Sequence, residues 1–278
     1  MDSVPQDGKF VAPDNVKILV LSSHSHPKIS GPVNHQVYAT RHGYDYLFDI
    51  TPLALTTPYD QKLEVITRTM RRTRCDWILW VDDDAYFMQL DKPITDFIPD
   101  DDNVDVVICR SPVNLKGIWS YINSGVFLIR NRARALSVFE EAIRLPMPTV
   151  EAWWDREKYG HFVAGGDQER LTYLFETKAD LKGAMLIHDH SAFNSRAYHF
   201  KAAHDEYFVC HLASHRDKNV PLADMIARFG LDKHLLPMDV AANLPDSLRK
   251  SFFSRPPILP KPPSLTRRIG RKVKRLVR

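Results

Sequence analysis

Short apolar runs alternate along the first half of the chain with stretches whose apolar residues recur at helical spacing. Apolar runs rich in β-branched and aromatic residues predict buried strands, and Gly or Pro after a periodic stretch predicts where a helix ends. The predicted strands are residues 16–23, 44–50, 77–81, 104–109, 123–130, 184–188 and 207–210. The predicted helices are residues 32–42, 59–74, 132–145 and 166–178. This alternation predicts an α/β fold with a mostly parallel sheet and helices on both faces.

The apolar strand predicted at 77–81 ends in three consecutive carboxylates, Asp82, Asp83 and Asp84. Such charges are costly in a core, and ligands of open α/β sheets bind beyond the carboxyl ends of the strands. On an extended chain Asp82 and Asp84 point to the same side, and paired carboxylates suit a hard divalent cation such as Mg²⁺ or Mn²⁺. The sequence therefore predicts a metal site here, with a solvated acidic turn as the alternative.

The overall net charge of +4 is the sum of an acidic part and a basic part of the chain. The chain has 278 residues, enough for one large α/β domain, which we place at residues 1–254. Residues 248–278 hold eleven Lys and Arg and no acid, so the remainder has 27 basic and 34 acidic residues and a net charge of −7. Because the body is acidic, we expect no nucleic acid among its partners.

The C-terminal end of the sequence has a composition of its own. Residues 255–263 are rich in proline and predict a semi-extended linker. Residues 264–278 combine seven cations with apolar residues at helical spacing. This pattern predicts a basic amphipathic helix suited to an anionic membrane surface, with a disordered tail as the alternative.

The sequence shows neither a signal peptide nor a membrane span. Residues 1–14 are polar and include two prolines, and no apolar run approaches the roughly 20 residues that a spanning helix needs. Cys75, Cys109 and Cys210 match neither a zinc site nor a disulfide framework, which favours a reducing compartment. The expected location is therefore cytoplasmic, and peripheral at a membrane if residues 264–278 bind lipid.

Six short stretches stand in the order in which they occur in one family of enzymes. They are Tyr38-Ala39 with His42-Gly43-Tyr44, then Lys62-Leu63, residues 80–85, residues 123–131, Asp167-Gln168, and His211 followed by Arg216. Together they resemble the retaining, metal-dependent glycosyltransferases of GT-A fold, which comprise yeast α-galactosyl- and α-mannosyltransferases and plant xyloglucan xylosyltransferases. Each stretch is a weak signal alone, and the ordered set is a stronger one.

The resemblance implies a fold and a reaction. The fold would be GT-A, the Rossmann-like α/β fold of nucleotide-diphospho-sugar transferases. The reaction would move a hexose or pentose from a nucleotide-sugar of the UDP-galactose, UDP-xylose or GDP-mannose type to a saccharide or glycolipid acceptor. Retention of the anomeric configuration and Mn²⁺ (or Mg²⁺) as cofactor are expected. The alternatives are a glycogenin-like or lipopolysaccharide-type retaining transferase, or a non-catalytic saccharide- or nucleotide-sugar-binding protein.

Residue chemistry and the resemblance together assign roles to individual side chains. The metal would be held by Asp82, Asp84 and His211, and the catalytic pair would be Asp167 and Gln168. Donor binding is expected from Ser22, Lys62, Asp82, Asp83, Asn123, Ser124, Gly125 and Arg216, and acceptor contacts from Trp153, Trp154 and Asn194. Structural alternatives stay open: a core histidine at 211, surface charges at 62 and 216, a helix N-cap at 167, a turn at 123–125, and a packed loop at 153–154.

Overall fold

The computed structural model describes residues 16–24, 30–51, 57–114, 116–162, 165–213, 215 and 217–249. Within them the strands are β1 (Ile18–Ser23), β2 (Asp45–Asp49), β3 (Trp77–Val81), β4 (Ala85–Phe87), β5 (Val106–Cys109), β6 (Asn123–Arg130), β7 (Met185–His188) and β8 (Val209–His211). The helices are α1 (Gly31–Arg41), α2 (Pro58–Arg72), α3 (Ala133–Arg144), α4 (Met147–Trp153), α5 (Arg156–Tyr159), α6 (Asp167–Thr177), α7 (His190–Phe193), α8 (Asn219–Phe229), α9 (Met238–Ala242) and α10 (Asp246–Arg249). Every predicted strand and helix is present, with ends that differ by up to two residues.

Six of the strands form one sheet in the order β2-β1-β3-β6-β5-β7. Its pairings are parallel except at β6, which runs antiparallel to both β3 and β5. A separate two-stranded sheet joins β4 to β8 in antiparallel orientation and places Ala85 opposite His211. The predicted mostly parallel α/β sheet is therefore confirmed, and the second sheet brings a late histidine next to the acidic turn.

The central strands are buried on both faces. Val20 and Leu79 point into a core that α1 covers. Leu21 and Trp80, their neighbours along the chain, point into a core shared with α2, α3 and α6. Since successive strand residues face opposite sides, a continuous apolar run is what a doubly covered sheet requires. The predicted placement of helices on both faces is confirmed.

Strand β4 and the later helices were not predicted. β4 has only three residues, all of them buried, which is too short for a periodic signal. Its position depends on α1, because the Asn34 side chain accepts a hydrogen bond from the Phe87 N–H (2.7 Å) and donates one to the Phe87 carbonyl (3.0 Å). Helix α8 packs against β4, with Leu222 and Met225 in a third apolar cluster.

The C-terminal predictions fall outside the described residues. The linker at 255–263 and the basic helix at 264–278 lie beyond residue 249, where the description ends. Among the described helices, none has the length and apolar character needed to cross a membrane.

Candidate active site

The acidic turn between β3 and β4 is fixed by backbone contacts on two sides. The Asp82 N–H donates to the Gly125 carbonyl of β6 (2.7 Å), and the Ala85 N–H donates to the Asp82 carbonyl (2.9 Å). On the other side, a Cβ added to Gly31 of α1 would lie 2.0 Å from the Asp83 carbonyl oxygen. Because glycine permits this close approach, α1 can hold the turn in place from behind.

His35 also supports the turn. Its Nε2 lies 2.7 Å from the Ala85 carbonyl oxygen. Burial lowers the pKa of His35 to about 4, so the ring is neutral at physiological pH. A neutral ring in this contact donates its single proton to the carbonyl, and the β4 backbone next to Asp84 is thereby fixed.

Three side chains at this turn could hold a metal ion. Asp82, Asp84 and His211 each offer one ligand atom, and these atoms lie within 4.8 Å of one another. The His211 Nε2 atom is 3.1 Å from Asp84 Oδ1 and 3.8 Å from Asp82 Oδ2. The pairing of β4 with β8 creates this cluster, because it sets His211 beside Ala85. Two carboxylates and one imidazole form a donor set that fits a first-row divalent cation such as Mn²⁺.

Asp84 is ionised although it is only 7% exposed. Burial alone would raise the pKa of its carboxyl, but the contacts with His211 and Lys218 hold that pKa well below its usual range. Burial lowers the pKa of His211, so the imidazole is neutral and Lys218 carries the compensating charge. The Lys218 Nζ atom lies 2.7 Å from Asp84 Oδ2, which leaves Oδ1 facing the His211 ring.

Lys62 joins the acidic turn to helix α6. Its ammonium lies 3.0 Å from Asp82 Oδ1 and 3.1 Å from Asp167 Oδ2, and it donates to the Ser124 carbonyl (2.9 Å). Burial acts to lower the pKa of Lys62, but the two carboxylates outweigh it and raise the pKa above its usual value. Because Lys62 is only 8% exposed, the alternative of a solvated surface charge is wrong.

Asp167 and Gln168 begin α6 and line the same cavity as Asp82, Asp84 and His211. The N-cap position of α6 is held by Gly166, whose N–H donates to the Glu169 carboxylate (3.0 Å), and Asp167 is the first residue of the helix itself. The N-cap alternative therefore does not describe Asp167, which is 1% exposed and paired with Lys62. Gln168 Nε2 donates to Ser120 Oγ (3.3 Å).

Two cavities meet at the acidic turn. One has a volume of about 330 Å³, and its lining includes Asn123, Ser124, Gly125, Asp167, Gln168 and His211. The other has a volume of about 540 Å³, and its lining includes Ser23, His24, Pro58, Gln61 and Trp80. Tyr59, Lys62, Asp82 and Asp84 line both. A ligand with two linked halves could therefore place its junction at the predicted metal ligands.

Some predicted site residues lie elsewhere. Ser22 is completely buried and lines neither cavity, while its neighbour Ser23 lines the larger one. Asp83, by contrast, lines the larger cavity, where its Oδ2 lies 3.0 Å from His24 Nδ1. Asn194 is also buried, and its Oδ1 lies 2.9 Å from His211 Nδ1. Arg216 is outside the described residues.

Trp153 and Trp154 pack in an aromatic cluster instead of facing the site. The Trp153 ring stacks on Tyr159 with centroids 4.7 Å apart. The Trp154 Nε1–H donates to the Gly160 carbonyl (2.9 Å), and its ring meets Phe162 edge-on. Neither tryptophan lines the described cavities. The packed-loop alternative fits their position, and the acceptor contact stays a prediction.

The residues of the smaller cavity that sequence reasoning missed include Trp119, Arg196 and Lys218. None belongs to an ordered motif, and all three reach the site through tertiary packing. Lys218 carries a faint signal, since it is a cation seven residues after the predicted metal histidine.

Gly125→Ala should weaken metal binding by on the order of 10–100-fold. A Cβ at this position would lie 2.0 Å from His211 Cε1, so the imidazole has to move away from the two carboxylates. Mn²⁺ titration of the purified variant measures the effect. Leu128→Ala, on the same strand, controls for lost stability, since it truncates a core side chain and should leave metal affinity unchanged. Wild-type Mn²⁺ affinity in Gly125→Ala would show that His211 is not a ligand.

Comparison with known proteins supports this interpretation. The galactosyl transferase GMA12/MNN10 family matches residues 28–114. Galactomannan galactosyltransferase 1 of Cyamopsis tetragonoloba is 27% identical over 188 residues, which are 60% of this chain and 43% of that protein. Glycosyltransferase 6 of Arabidopsis thaliana is 28% identical over 154 residues, or 52% of this chain and 35% of that protein. The chain thus spans less than half the length of these relatives.

A solved structure shows the same fold. The crystal structure of a glycosyltransferase involved in the glycosylation of the major capsid of PBCV-1 has a TM-score of 0.56 and 21% sequence identity. The superposition covers 72% of this chain and 96% of that one. The predicted GT-A fold and the predicted resemblance are both confirmed. By fold the chain is thus of the GT-A type, and part of it is similar to the galactosyl transferase GMA12/MNN10 family.

Proposed function

We propose that this protein transfers a hexose or pentose from a nucleotide-sugar to a saccharide or glycolipid acceptor, in a metal-dependent reaction that retains the anomeric configuration. The observation that carries the proposal is the cluster of Asp82, Asp84 and His211 at the junction of two cavities. The names of the similar proteins make UDP-galactose the first donor to test.

The residues at the turn fit a divalent cation, and imidazole as a third ligand favours Mn²⁺ over Mg²⁺. When bound, such a cation supplies Lewis-acid stabilisation to a departing nucleoside diphosphate. The protein's contribution is to fix the ligands. Trp80 Nε1–H donates to Asp82 Oδ1 (2.8 Å), and the Lys62 ammonium lies 3.0 Å from the same oxygen. Asp82 is thereby held with Oδ2 on the His211 side.

The two cavities suit the two halves of a nucleotide-sugar. The larger one offers the Tyr59 ring and the Gln61 amide, which suit a nucleoside base and its polar edge. The smaller one offers the polar strand start Asn123-Ser124-Gly125 and the α6 start Asp167-Gln168, which suit a sugar ring. The diphosphate would then cross the acidic turn between them.

Asp167 is the carboxylate best placed to support the reacting sugar. A carboxylate nucleophile is one route to retention, but Asp167 Oδ2 lies 3.1 Å from the Lys62 ammonium and the residue is 1% exposed. We therefore give Asp167 an electrostatic role: it stabilises positive charge that develops at the anomeric carbon. Gln168, held by Ser120, orients the sugar or acceptor beside it.

Asp167→Asn should lower turnover by on the order of 10²-fold, because it removes the negative charge that the transition state needs. Donor affinity should change little, since the metal ligands are untouched. Turnover at saturating donor and donor affinity from calorimetry separate these effects. Glu176→Gln, which neutralises a carboxylate farther along α6, is the matched control. Unchanged turnover in Asp167→Asn would leave this residue with a purely structural role.

A panel of UDP- and GDP-sugars, with and without Mn²⁺, tests the proposal directly. A donor present at 100 times its dissociation constant should stabilise the fold by about 2.7 kcal/mol. We expect one UDP-sugar to raise the melting temperature only when Mn²⁺ is present. No response to any nucleotide-sugar would reject the proposal. Binding without donor hydrolysis or transfer would leave a non-catalytic nucleotide-sugar-binding protein.

Three accompanying predictions stay predictions: a cytoplasmic location, the peripheral membrane contact through residues 264–278, and the domain boundary at 254. Co-sedimentation of the full chain and of a chain truncated after Pro263 with anionic vesicles would test the membrane contact. Equal binding by the two forms would contradict it.

A further inference from the structure

Arg196 lies behind His211 and has no role in the proposed reaction. The residue is only 4% exposed, and it lines the smaller cavity. Its Nη1 atom lies 2.8 Å from His211 Nδ1 and 3.3 Å from Asn194 Oδ1. Both partners are neutral, and within the described part of the chain no carboxylate pairs with this guanidinium. A buried cation whose nearest partner is a candidate metal ligand calls for an explanation.

Two contacts of His211 Nδ1 favour different positions of the ring proton. Asn194 Oδ1, at 2.9 Å, favours the proton on Nδ1. A guanidinium only donates, so the Arg196 contact at 2.8 Å favours Nδ1 as acceptor and the single ring proton on Nε2. Nε2 lies 3.1 Å from Asp84 Oδ1, where that proton is donated. The nitrogen that points toward the two carboxylates is therefore blocked while Arg196 holds the ring.

A metal ion requires the opposite arrangement. Nε2 must be free of its proton to bind a cation, so the proton moves to Nδ1. Nδ1–H and Arg196 would then be two donors facing one another at 2.8 Å. Asn194 Oδ1, 2.9 Å from Nδ1, can accept the proton instead, and metal-bound imidazoles need such an acceptor for the second ring nitrogen.

We infer that Arg196 competes with the metal ion for His211. In the metal-free protein Arg196 donates to Nδ1 and the ring proton is on Nε2. In the metal-bound protein the ring proton is on Nδ1, where Asn194 accepts it, and Arg196 moves away. The apparent association constant for the metal is the intrinsic constant multiplied by the fraction of molecules in which His211 is free of Arg196. Arg196 is thus a positioning residue that weakens the metal site. The inference rests on the proposed metal site.

Mn²⁺ binding to the full chain, measured through the electron paramagnetic resonance signal of the free ion, tests the inference. Arg196→Met removes the donor and keeps most of the side-chain volume, so Mn²⁺ should bind at least about tenfold more tightly than to the wild type. Arg110→Met removes an exposed cation that lies over Tyr121 and should leave Mn²⁺ affinity unchanged. Equal, measurable affinity in wild type and Arg196→Met would overturn the inference and keep the metal site.

A second measurement needs no Arg196 variant and separates competition for the ring from simple charge repulsion. The ¹⁵N NMR shifts of the His211 imidazole, assigned by their loss in His211→Gln, report which nitrogen carries the proton. We expect the proton on Nε2 in the metal-free wild type and on Nδ1 once Mg²⁺ is bound. A metal-free ring already protonated on Nδ1 would overturn the inference. Absence of Mn²⁺ binding in both wild type and Arg196→Met would reject the metal site itself, and the inference with it.

Discussion

Asp84→Asn should abolish metal-dependent transfer while the fold stays intact. The substitution keeps the size of the side chain and removes one of the two carboxylate charges in the Asp82, Asp84 and His211 cluster. Loss of metal stabilisation of a departing diphosphate costs several kcal/mol, which is a fall of about 10²–10³-fold or more in turnover. Sugar transfer in Mn²⁺, with and without chelator, is the measurement.

The cost in stability should be small by comparison. Lys218 loses its partner at 2.7 Å, but its side chain is 31% exposed and can reach water, so about 1–2 kcal/mol is expected. Asp102→Asn is the matched control, because it neutralises an exposed carboxylate paired with Arg130 away from the site. Full activity of the wild type in chelator, or of Asp84→Asn in Mn²⁺, would contradict the metal assignment.

The low pKa of Asp84 adds a pH signature. A carboxyl whose folded pKa is depressed contributes stability above its unfolded pKa of about 3.9 and loses that contribution as the pH falls below it. The wild type should therefore lose more stability than Asp84→Asn between pH 5 and pH 3. Both proteins share every other carboxyl, so the difference between their melting curves isolates this group.

The sequence was sufficient to predict the strands of the sheet and the acidic turn, because both depend on the local pattern of apolar and charged residues. Buried strands such as β3 and β6 are continuous apolar runs, and a charge triplet after one of them marks the point where the chain emerges. The partnership of Asp84 with His211 was reached only through the ordered family resemblance. No spacing rule relates two residues that meet because β4 pairs with β8.

Composition alone is a poor guide to a binding site where aromatic side chains pack against one another. Trp153 and Trp154 have the chemistry of a sugar platform, but Tyr159 stacks on Trp153 and Phe162 meets Trp154 edge-on. A sequence does not reveal which aromatic rings are already packed against one another. Arg196 shows the converse. A lone arginine between a serine and an alanine carries no signal, and its importance comes from burial beside His211.

Lys62→Met should cost about 3–5 kcal/mol of unfolding free energy, because it leaves two carboxylates without their buried partner. Lys62 lies 3.0 Å from Asp82 and 3.1 Å from Asp167, and Asp167 is 1% exposed. In the wild type the pKa of Lys62 is raised above its usual value. Its contribution is therefore fully present below the unfolded pKa of about 10.4 and is lost only as the pH rises through the folded value.

The pH dependence of the variant gives the sharper measurement. Without Lys62, the charge of the buried Asp167 carboxylate is uncompensated, and adding a proton at low pH removes the cost of burying that charge. Lys62→Met should then be more stable at pH 5 than at pH 8, by more than any such difference in the wild type. Lys158→Met, which removes an exposed lysine paired with Glu176, should show no such change.

A double substitution decides whether the loss comes from the unpaired charge. Lys62→Met/Asp167→Asn removes both members of the pair that lies 3.1 Å apart, so no buried carboxylate is stranded at α6. If charge is the cause, the double variant should be more stable than Lys62→Met alone, and the two single effects should not add. Additive losses would mean that Lys62 acts through packing against Trp80, whose ring centroid is 5.5 Å from the ammonium. Transfer activity should stay low in the double variant even where stability returns, because Asp82 would still lack the cation that holds Oδ1 in place.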